Sequence, residues 1–204
     1  TIIYRIVGEG TKFMSNIKKG NEIDIMGPLG RGYDVLSLTK EQTALLVGGG
    51  IGVPPLYELA KQFYQRGIKT ITILGFNSKD EVFYEDEFKK FSETYVSTVD
   101  GSVGTKGFVT DVIKKLQAEN NLVFDKYYSC GPVPMLKALI STVGEDGYVS
   151  LENRMACGIG ACYACVCKKK KKDKDVIAYD EKKVEYTRVC YDGPVYLASD
   201  VEIE

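Results

Sequence analysis

The sequence predicts an α/β fold: a parallel, Rossmann-like sheet, preceded by part of an antiparallel β-barrel and followed by a small third domain. Up to residue 38 the apolar residues alternate, as they do in half-buried strands. From 39 to 150, apolar runs alternate with amphipathic helical patterns, which is the order of a parallel sheet. From 151 to 204, cysteines crowd into one short loop. We therefore place three domains at 1–38, 39–150 and 151–204.

The composition excludes several classes of function. The chain has 204 residues, a net charge of -1 and no histidine. A net charge so close to zero gives no reason to expect nucleic acid or an anionic membrane as a partner. Mechanisms that rely on a histidine base are excluded for this chain alone, so its chemistry must come mainly from cofactors. No apolar run approaches the roughly eighteen residues of a membrane helix.

The first predicted domain contains two alternating strands, at residues 2–7 and 22–26, with a short helix at 13–17 between them. Thr11 is placed to cap that helix. A glycine turn before a helix N-terminus is suited to an anion, so a diphosphate could rest on the amides of Gly10 and Thr11. A capped connector without any ligand explains these residues equally well.

The second predicted domain opens with an apolar strand at 43–47, a glycine turn and an amphipathic helix over 56–63. This order lets a dinucleotide diphosphate approach the backbone closely, next to a helix N-terminus. The turn is not the G-x-G-x-x-G fingerprint, because Pro55 takes the place of the third glycine. The residues that we expect to contact a dinucleotide here are Gly48, Gly49, Gly50, Gly52 and Pro54.

Further strands and helices complete the predicted sheet. The strands lie at 70–76, 95–99 and 127–130, the helices at 86–91, 109–116 and 134–140, and an extended link at 148–151. In open α/β sheets, ligands bind at the carboxyl ends of strands, where Cys130, Gly131 and Pro132 stand. Cys130 is therefore a candidate for contact with a nicotinamide ring, although a small buried thiol explains it equally well.

The choice between NADH and NADPH stays open in the sequence. Asp80 or Asn77 could hold an adenosine ribose, whereas Lys79 would suit a 2′-phosphate.

The cysteine loop has the spacing of a plant-type 2Fe-2S site. Cys157, Cys162 and Cys165 follow the pattern C-x4-C-x2-C, and a fourth cysteine lies downstream. A zinc site made of four cysteines usually has two C-x2-C pairs, and this chain has one. A thioredoxin-like pair needs no third or fourth cysteine. A chain of this length needs no disulfide framework, and a Rieske centre requires two histidines.

We expect Cys190 to be the fourth ligand and Cys167 to be a spare thiol. Cys190 ends a strand-like run at 184–189 and precedes a turn that can direct its side chain back at the loop. The lysine run 168–172 is interpreted as a solvated hairpin tip, with a basic docking surface as the alternative. Cysteines of this kind suit a reducing compartment, and we expect the cytoplasm.

Several of these motifs together resemble the ferredoxin-NADP reductase superfamily. They are Ile3-Tyr4-Arg5, Gly10-Thr11, the turn 48–54 and Cys130-Gly131-Pro132. Within it, the stretch 155–162 together with Arg188-Val189-Cys190 resembles the electron-transfer subunits of dihydroorotate dehydrogenase B. The resemblance covers essentially the whole chain.

This resemblance implies a cofactor chain and a partner. It implies that FAD contacts Ile3, Tyr4, Arg5, Gly10 and Thr11, and that Cys157, Cys162, Cys165 and Cys190 hold the cluster. Electrons would then pass between NADH and the FMN of a separate catalytic subunit, which oxidises dihydroorotate to orotate in pyrimidine synthesis. The assembly would be a heterotetramer of two subunits of each kind. A flavin suits this position because it accepts a hydride and releases single electrons.

The sequence departs from the family at two places, and two other functions stay open. The Arg-Pro-x-Ser flavin motif expected before Ile3 is absent, and the segment between Cys165 and Cys190 is long. One alternative is the electron-transfer subunit of another flavin and iron-sulfur reductase, such as an NADH-dependent ferredoxin:NADP oxidoreductase or a sulfhydrogenase. The other is a zinc-stabilised nucleotide-binding module without redox turnover.

Overall fold

The computed structural model describes residues 2–170 and 185–204. Its strands are β1 Thr43–Gly49, β2 Lys69–Phe76, β3 Glu93–Thr98, β4 Thr105–Lys106, β5 Lys126–Cys130, β6 Gly147–Ser150, β7 Val166–Lys168, β8 Tyr186–Arg188 and β9 Val195–Leu197. Its α-helices are α1 Glu9–Ser15, α2 Val53–Gln65, α3 Glu85–Phe88, α4 Val109–Ala118 and α5 Val133–Val143. Seven strands form one sheet in the order β4-β3-β2-β1-β5-β6-β9, and β7 pairs with β8.

The predicted parallel sheet is confirmed, with β1 at its centre. β1 pairs in parallel with β2 on one side and with β5 on the other. Its side chains alternate between two buried cores: Leu46 packs with α2 on one face, and Val47 packs with α4 and α5 on the other. Burial on both faces explains why this strand is a continuous apolar run. It also brings the carboxyl ends of β1 and β5 side by side.

The segment predicted at 148–151 is extended, but it is not merely a link, because residues Gly147–Ser150 form strand β6 of the sheet. β6 runs parallel to β5, and β9 then adds to it in antiparallel orientation. Val149 is fully buried between the two neighbouring strands. A strand from the predicted third domain therefore completes the sheet of the second.

The two strands predicted at 2–7 and 22–26 are wrong, since neither segment forms a strand. A strand needs a neighbouring strand whose backbone it can hydrogen-bond. In the described structure, residues 2–38 have no such neighbour apart from the isolated β-bridge between Arg31 and Pro194. The helix predicted at 13–17 begins earlier, as α1 Glu9–Ser15. Gly8 is its N-cap, and Thr11 lies inside the first turn.

The described part of the lysine run is not a free hairpin tip. Lys168 forms an ion pair with Glu204, and the Nζ atom of Lys170 lies 2.7 Å from Glu145 Oε1. Lys168 ends β7, and Lys169 bridges to Val201. Lys171, Lys172 and Val184, which belong to the predicted run and strand, lie outside the described residues. Among the described helices, none is long and apolar enough to cross a membrane.

Candidate functional site

Two glycine-containing turns touch at the carboxyl edge of the sheet. One follows β1 and the other follows β5, and a Cβ atom at Gly52 would lie 2.3 Å from the carbonyl oxygen of Cys130. A Cβ atom at Gly49 would lie 2.5 Å from Met135 Sδ. Gly50 has a φ of 51° and faces open space. The glycines therefore bring the two turns together and leave the backbone accessible at Gly50.

The donors for an anion at this edge differ from the prediction. α2 begins at Val53, but Pro54 and Pro55 have no N–H group, so the first helical turn offers few donors. The amides of the 3₁₀ turn Gly50–Gly52 lie directly before it. A diphosphate at this edge would therefore accept hydrogen bonds from the amides of that turn more than from those of the helix.

Cys130 lies half-buried at the end of β5, beside Ser150 and Glu152. Burial raises the pKa of its thiol, so the group is protonated at neutral pH. The Tyr33 hydroxyl donates a hydrogen bond to the Ser129 carbonyl at 2.9 Å. Burial also raises the pKa of Tyr33. No local pattern pointed to Tyr33, because it lies many residues before the strand that it contacts.

The residues expected to contact a flavin lie at the surface. Ile3 is 38% and Tyr4 37% exposed. Arg5 lies 3.5 Å from Glu81, which follows β2 at the nucleotide edge. The Thr11 hydroxyl oxygen accepts hydrogen bonds from the amides that precede α1, at 3.0 Å and 3.2 Å. Nothing lies within 4 Å of a Cβ atom at Gly10. None of these contacts involves a flavin, so the flavin-binding role of the five residues stays a prediction.

The residues considered for the choice of nucleotide follow β2. Asn77 donates a hydrogen bond to Glu81 at 2.8 Å, and the Lys79 amide donates one to Ser102 at 2.7 Å. Glu81, which the sequence did not single out, therefore has its carboxylate fixed at this edge.

The four predicted cluster cysteines lie in two adjacent pairs. The Cys190 amide donates a hydrogen bond to Cys165 Sγ at 3.4 Å, and both residues are buried. Cys157 lies next to Cys162, which is exposed. In the described ranges, no three Cys, Asp or Glu side chains are grouped as for a single metal ion.

Backbone amides of the cysteine loop face the sulfurs. The Cys162 amide and thiol, followed by the amides of Ile159 and Ala161, lower the pKa of Cys157 to about 6. Contact with the Cys165 thiol raises the pKa of Cys190, and the Gly160 amide opposes this shift. Gly158 and Gly160 have φ of 72° and 82°, which other residues rarely adopt. Thiolate donors surrounded by amides fit a 2Fe-2S cluster.

Cys167, the predicted spare thiol, lies close to the pair of Cys165 and Cys190. It lies in β7, where it packs both against the larger core and against the small cluster of Cys165, Val189 and Cys190. Burial raises the pKa of its thiol, and a hydrogen bond with the Tyr196 hydroxyl opposes this shift. The hydrogen bond from the Cys190 amide to Cys165 Sγ favours Cys190 as the fourth ligand, and this choice stays a prediction.

Arg188 joins the cysteine loop to the turn that carries Cys190, a role that its position in the sequence did not reveal. Its Nε atom lies 2.9 Å from Asp192 Oδ2, and its Nη1 atom donates to the Gly160 carbonyl at 2.9 Å. The rings of Tyr191 and Tyr163 lie 4.6 Å and 5.4 Å from the guanidinium carbon. The only sequence feature that could have indicated this role is the spacing of four residues between Arg188 and Asp192, which allows an ion pair.

Comparisons with known proteins match both halves of this site. A family model of the iron-sulfur cluster binding domain of dihydroorotate dehydrogenase B matches residues 152–202, and one of an oxidoreductase NAD-binding domain matches 46–140. The chain is 89% identical over 204 residues to a protein of Fusobacterium nucleatum subsp. nucleatum named dihydroorotate dehydrogenase B (NAD(+)), electron transfer subunit. A protein of the same name from Bacillus pumilus is 51% identical. Each match covers 100% of this chain and 74% of the relative.

A solved structure also resembles the chain over nearly its whole length. It is an NADH-dependent reduced ferredoxin-NADP oxidoreductase with a TM-score of 0.79 and 32% identity. The match covers 98% of this chain and 67% of that one.

Proposed function

Since the chain belongs to the family of electron transfer subunits of dihydroorotate dehydrogenase B (NAD(+)), we propose that it passes electrons between NAD(H) and the FMN of a separate catalytic subunit. FAD and a 2Fe-2S cluster are its own cofactors, and the partner converts dihydroorotate to orotate in pyrimidine biosynthesis. In this proposal residues 1–38 contribute flavin contacts, 39–150 the NAD site and 151–204 the cluster. The proposal depends mainly on one observation: the paired cysteines lie on the segment 151–204, and the last strand of that segment, β9, completes the sheet that carries the proposed NAD site.

A bound FAD would supply the step between a two-electron hydride and the single electrons that a 2Fe-2S cluster carries. The residues of the chain have positioning roles. The turns at 48–52 and 130–132 present backbone without side chains to the dinucleotide. Their close packing against each other supports this role. Pro54 fixes the start of α2. The protonated Cys130 thiol provides a neutral surface for the nicotinamide. Ile3, Tyr4, Arg5, Gly10 and Thr11 are proposed to hold the flavin.

Cys157, Cys162, Cys165 and Cys190 are the proposed cluster ligands. Their arrangement as two pairs supports one pair for each iron. The lowered pKa of Cys157 favours a thiolate, which is the form that binds iron. The buried pair of Cys165 and Cys190 would keep water away from one side of the cluster.

The partner is proposed to be the FMN-containing catalytic subunit, in a heterotetramer with two copies of each chain. The cytoplasm is the proposed location, because none of the six cysteines is joined in a disulfide and unpaired cysteines persist in a reducing compartment. The subunit purified alone is expected not to form orotate from dihydroorotate, even with an artificial electron acceptor, because it depends on the partner's flavin. Orotate formation by the subunit alone would contradict this division of labour.

An anaerobic absorption spectrum of the full-length protein tests the proposal, with iron, sulfide and zinc analysis before and after NADH. Flavin and cluster bands that bleach on addition of NADH are the expected result. A colourless protein with stoichiometric zinc would overturn it and favour the nucleotide-binding module without redox turnover, since zinc bound to cysteine does not absorb visible light.

A second candidate is the electron-transfer subunit of another flavin and iron-sulfur reductase, including a sulfhydrogenase. The similarity to the NADH-dependent reduced ferredoxin-NADP oxidoreductase favours it. Affinity purification of the tagged subunit from its own cells separates the two candidates. A co-purifying flavoprotein that oxidises dihydroorotate supports the first, and a partner that reduces ferredoxin or sulfur supports the second.

A further inference from the structure

Arg188 makes contacts that reach both halves of the cysteine site. Its guanidinium pairs with Asp192 through Nε at 2.9 Å and Nη2 at 3.2 Å, which is a bidentate arrangement. The remaining terminal nitrogen, Nη1, donates to the Gly160 carbonyl. The Arg188 carbonyl accepts amide hydrogen bonds from Tyr191, Asp192 and Gly193. One residue therefore holds the turn around Cys190 by its backbone and the loop by its side chain.

The contact with Gly160 fixes the direction of a particular amide. In a trans peptide unit the carbonyl of one residue and the N–H of the next point in opposite directions. When Arg188 holds the Gly160 carbonyl on its own side, the Ala161 N–H must point to the other side, where Cys157 lies. The Gly160 N–H faces Cys190. That second amide belongs to the preceding peptide unit, so the contact with Arg188 fixes the amide that reaches the Cys157 sulfur.

The surroundings of Arg188 restrict its movement. Its side chain is 25% exposed, and the Tyr191 ring lies over the guanidinium. Tyr163 reaches the guanidinium from the loop with a φ of 56°, an uncommon value for a residue with a side chain. Because Asp192 balances the charge of Arg188, the guanidinium acts on the loop mainly through the direction of its hydrogen bonds and not through its net charge. A lysine at this position could not make the three contacts at once.

We propose that Arg188 is a positioning residue that raises the reduction potential of the cluster by directing the Ala161 amide at the Cys157 sulfur. The inference rests on the proposed cluster site. An N–H group directed at a sulfur ligand offsets negative charge, and the reduced cluster carries one more negative charge than the oxidised one. Hydrogen bonds to the sulfurs therefore favour reduction. Without Arg188 the peptide can turn, and this preference weakens.

The test compares Arg188→Met and Arg188→Lys with a matched control, Arg154→Met, in the full-length protein. Arg154 is an exposed arginine just before the same loop. Iron and sulfide content is measured together with the midpoint potential of the assembled cluster, by an anaerobic dye-mediated redox titration. We expect a negative shift for Arg188→Met, a smaller negative shift for Arg188→Lys, and the wild-type potential for Arg154→Met.

The outcomes separate this inference from the proposed function. Variants of Arg188 that contain less iron but keep the wild-type potential in the assembled fraction would show a purely structural role and overturn it. If Arg188→Met assembles no cluster, Asp192→Asn decides, because it loosens the guanidinium with little change in shape: a negative shift supports the proposal, and an unchanged potential overturns it. A wild-type protein without iron would overturn the cluster assignment itself, and this proposal with it.

Discussion

Replacing Gly52 by alanine is expected to separate the two turns that form the proposed nucleotide site. An ideal Cβ atom would lie 2.3 Å from the Cys130 carbonyl oxygen, 2.5 Å from its carbonyl carbon and 2.7 Å from the Gly131 nitrogen. All three are backbone atoms, so no side chain can rotate to make room. The φ of Gly52 is -78°, which alanine adopts without strain. The cost therefore arises from steric overlap alone.

The size of the effect follows from these distances. Cβ atoms essentially never approach other atoms closer than 3.0 Å, so the turns must move apart by about 0.7 Å to relieve the 2.3 Å contact. Inserting a methyl group into a packed site costs about 1–3 kcal/mol. For a chain of this size, that corresponds to a fall in Tm of about 2–12 °C. The same displacement moves Cys130 relative to Gly50, and a misplacement approaching 1 Å can slow a reaction by up to about a hundredfold.

Calorimetry of the full-length protein and stopped-flow reduction of its flavin by NADH measure both effects. Gly32→Ala is the matched control, because Gly32 is exposed and nothing lies within 4 Å of its Cβ position. We expect Gly52→Ala to lower both the Tm and the rate, and Gly32→Ala to change neither. A Gly52→Ala protein with the Tm and rate of the control would refute the packing argument.

Cys190→Ser is expected to lose most of the cluster iron and Cys167→Ser to retain it, since the Cys190 amide is hydrogen-bonded to Cys165 Sγ whereas the Cys167 thiol is hydrogen-bonded with Tyr196; equal iron content in the two variants would exclude Cys190 as the fourth ligand. In protein stripped of its cluster, iodoacetamide should alkylate Cys157 faster than Cys167 at pH 7, because the pKa is lowered to about 6 at Cys157 and raised at Cys167. The rate at Cys157 should fall as the pH drops below about 6, and peptide mass spectrometry that finds equal rates would contradict this. The Arg188 guanidinium lowers the pKa of Asp192 below 3.8, so this carboxylate stabilises the fold above its unfolded pKa and loses that effect as the pH falls through its folded pKa. Asp192→Asn should therefore be less stable than the wild type in urea at pH 7 and equally stable well below pH 3.8, and a difference that persists in acid would argue against the ion pair.

The central sheet could be predicted because its signals are local. Thr43–Gly49 is apolar on both faces, and a glycine turn and a helix follow directly. Strand β9 could not be predicted in this way. It has three residues, and its partner β6 lies far upstream, so the pairing depends on the tertiary fold and not on the pattern of either segment.

The N-terminal residues illustrate the opposite case. The alternation at 2–7 is clear in the sequence, but Ile6 is 58% and Val7 79% exposed, and no described strand lies beside them. Periodicity reports which face of a strand would be buried, whereas the strand itself requires a hydrogen-bonded neighbour. The alternating pattern alone was therefore insufficient.

The candidate site also contains features that a local pattern predicts and features that depend on contacts between distant residues. Cysteine spacing predicts the cluster loop because the ligands lie close together along the chain. Arg188 and Tyr33 gain their roles from contacts with Gly160 and Ser129, which are distant in sequence. Their residue types alone could not reveal those contacts.

The pairing of β9 with β6 also bears on how fast electrons can move. Three residue pairs join a strand that follows Cys190 to the sheet that carries the glycine turns. The cysteine loop cannot swing away from the nucleotide edge without breaking these backbone hydrogen bonds. With the NAD site and the cluster at their proposed positions, the sheet therefore limits how far these two sites can separate, and electron transfer within the subunit is expected to be independent of solvent viscosity.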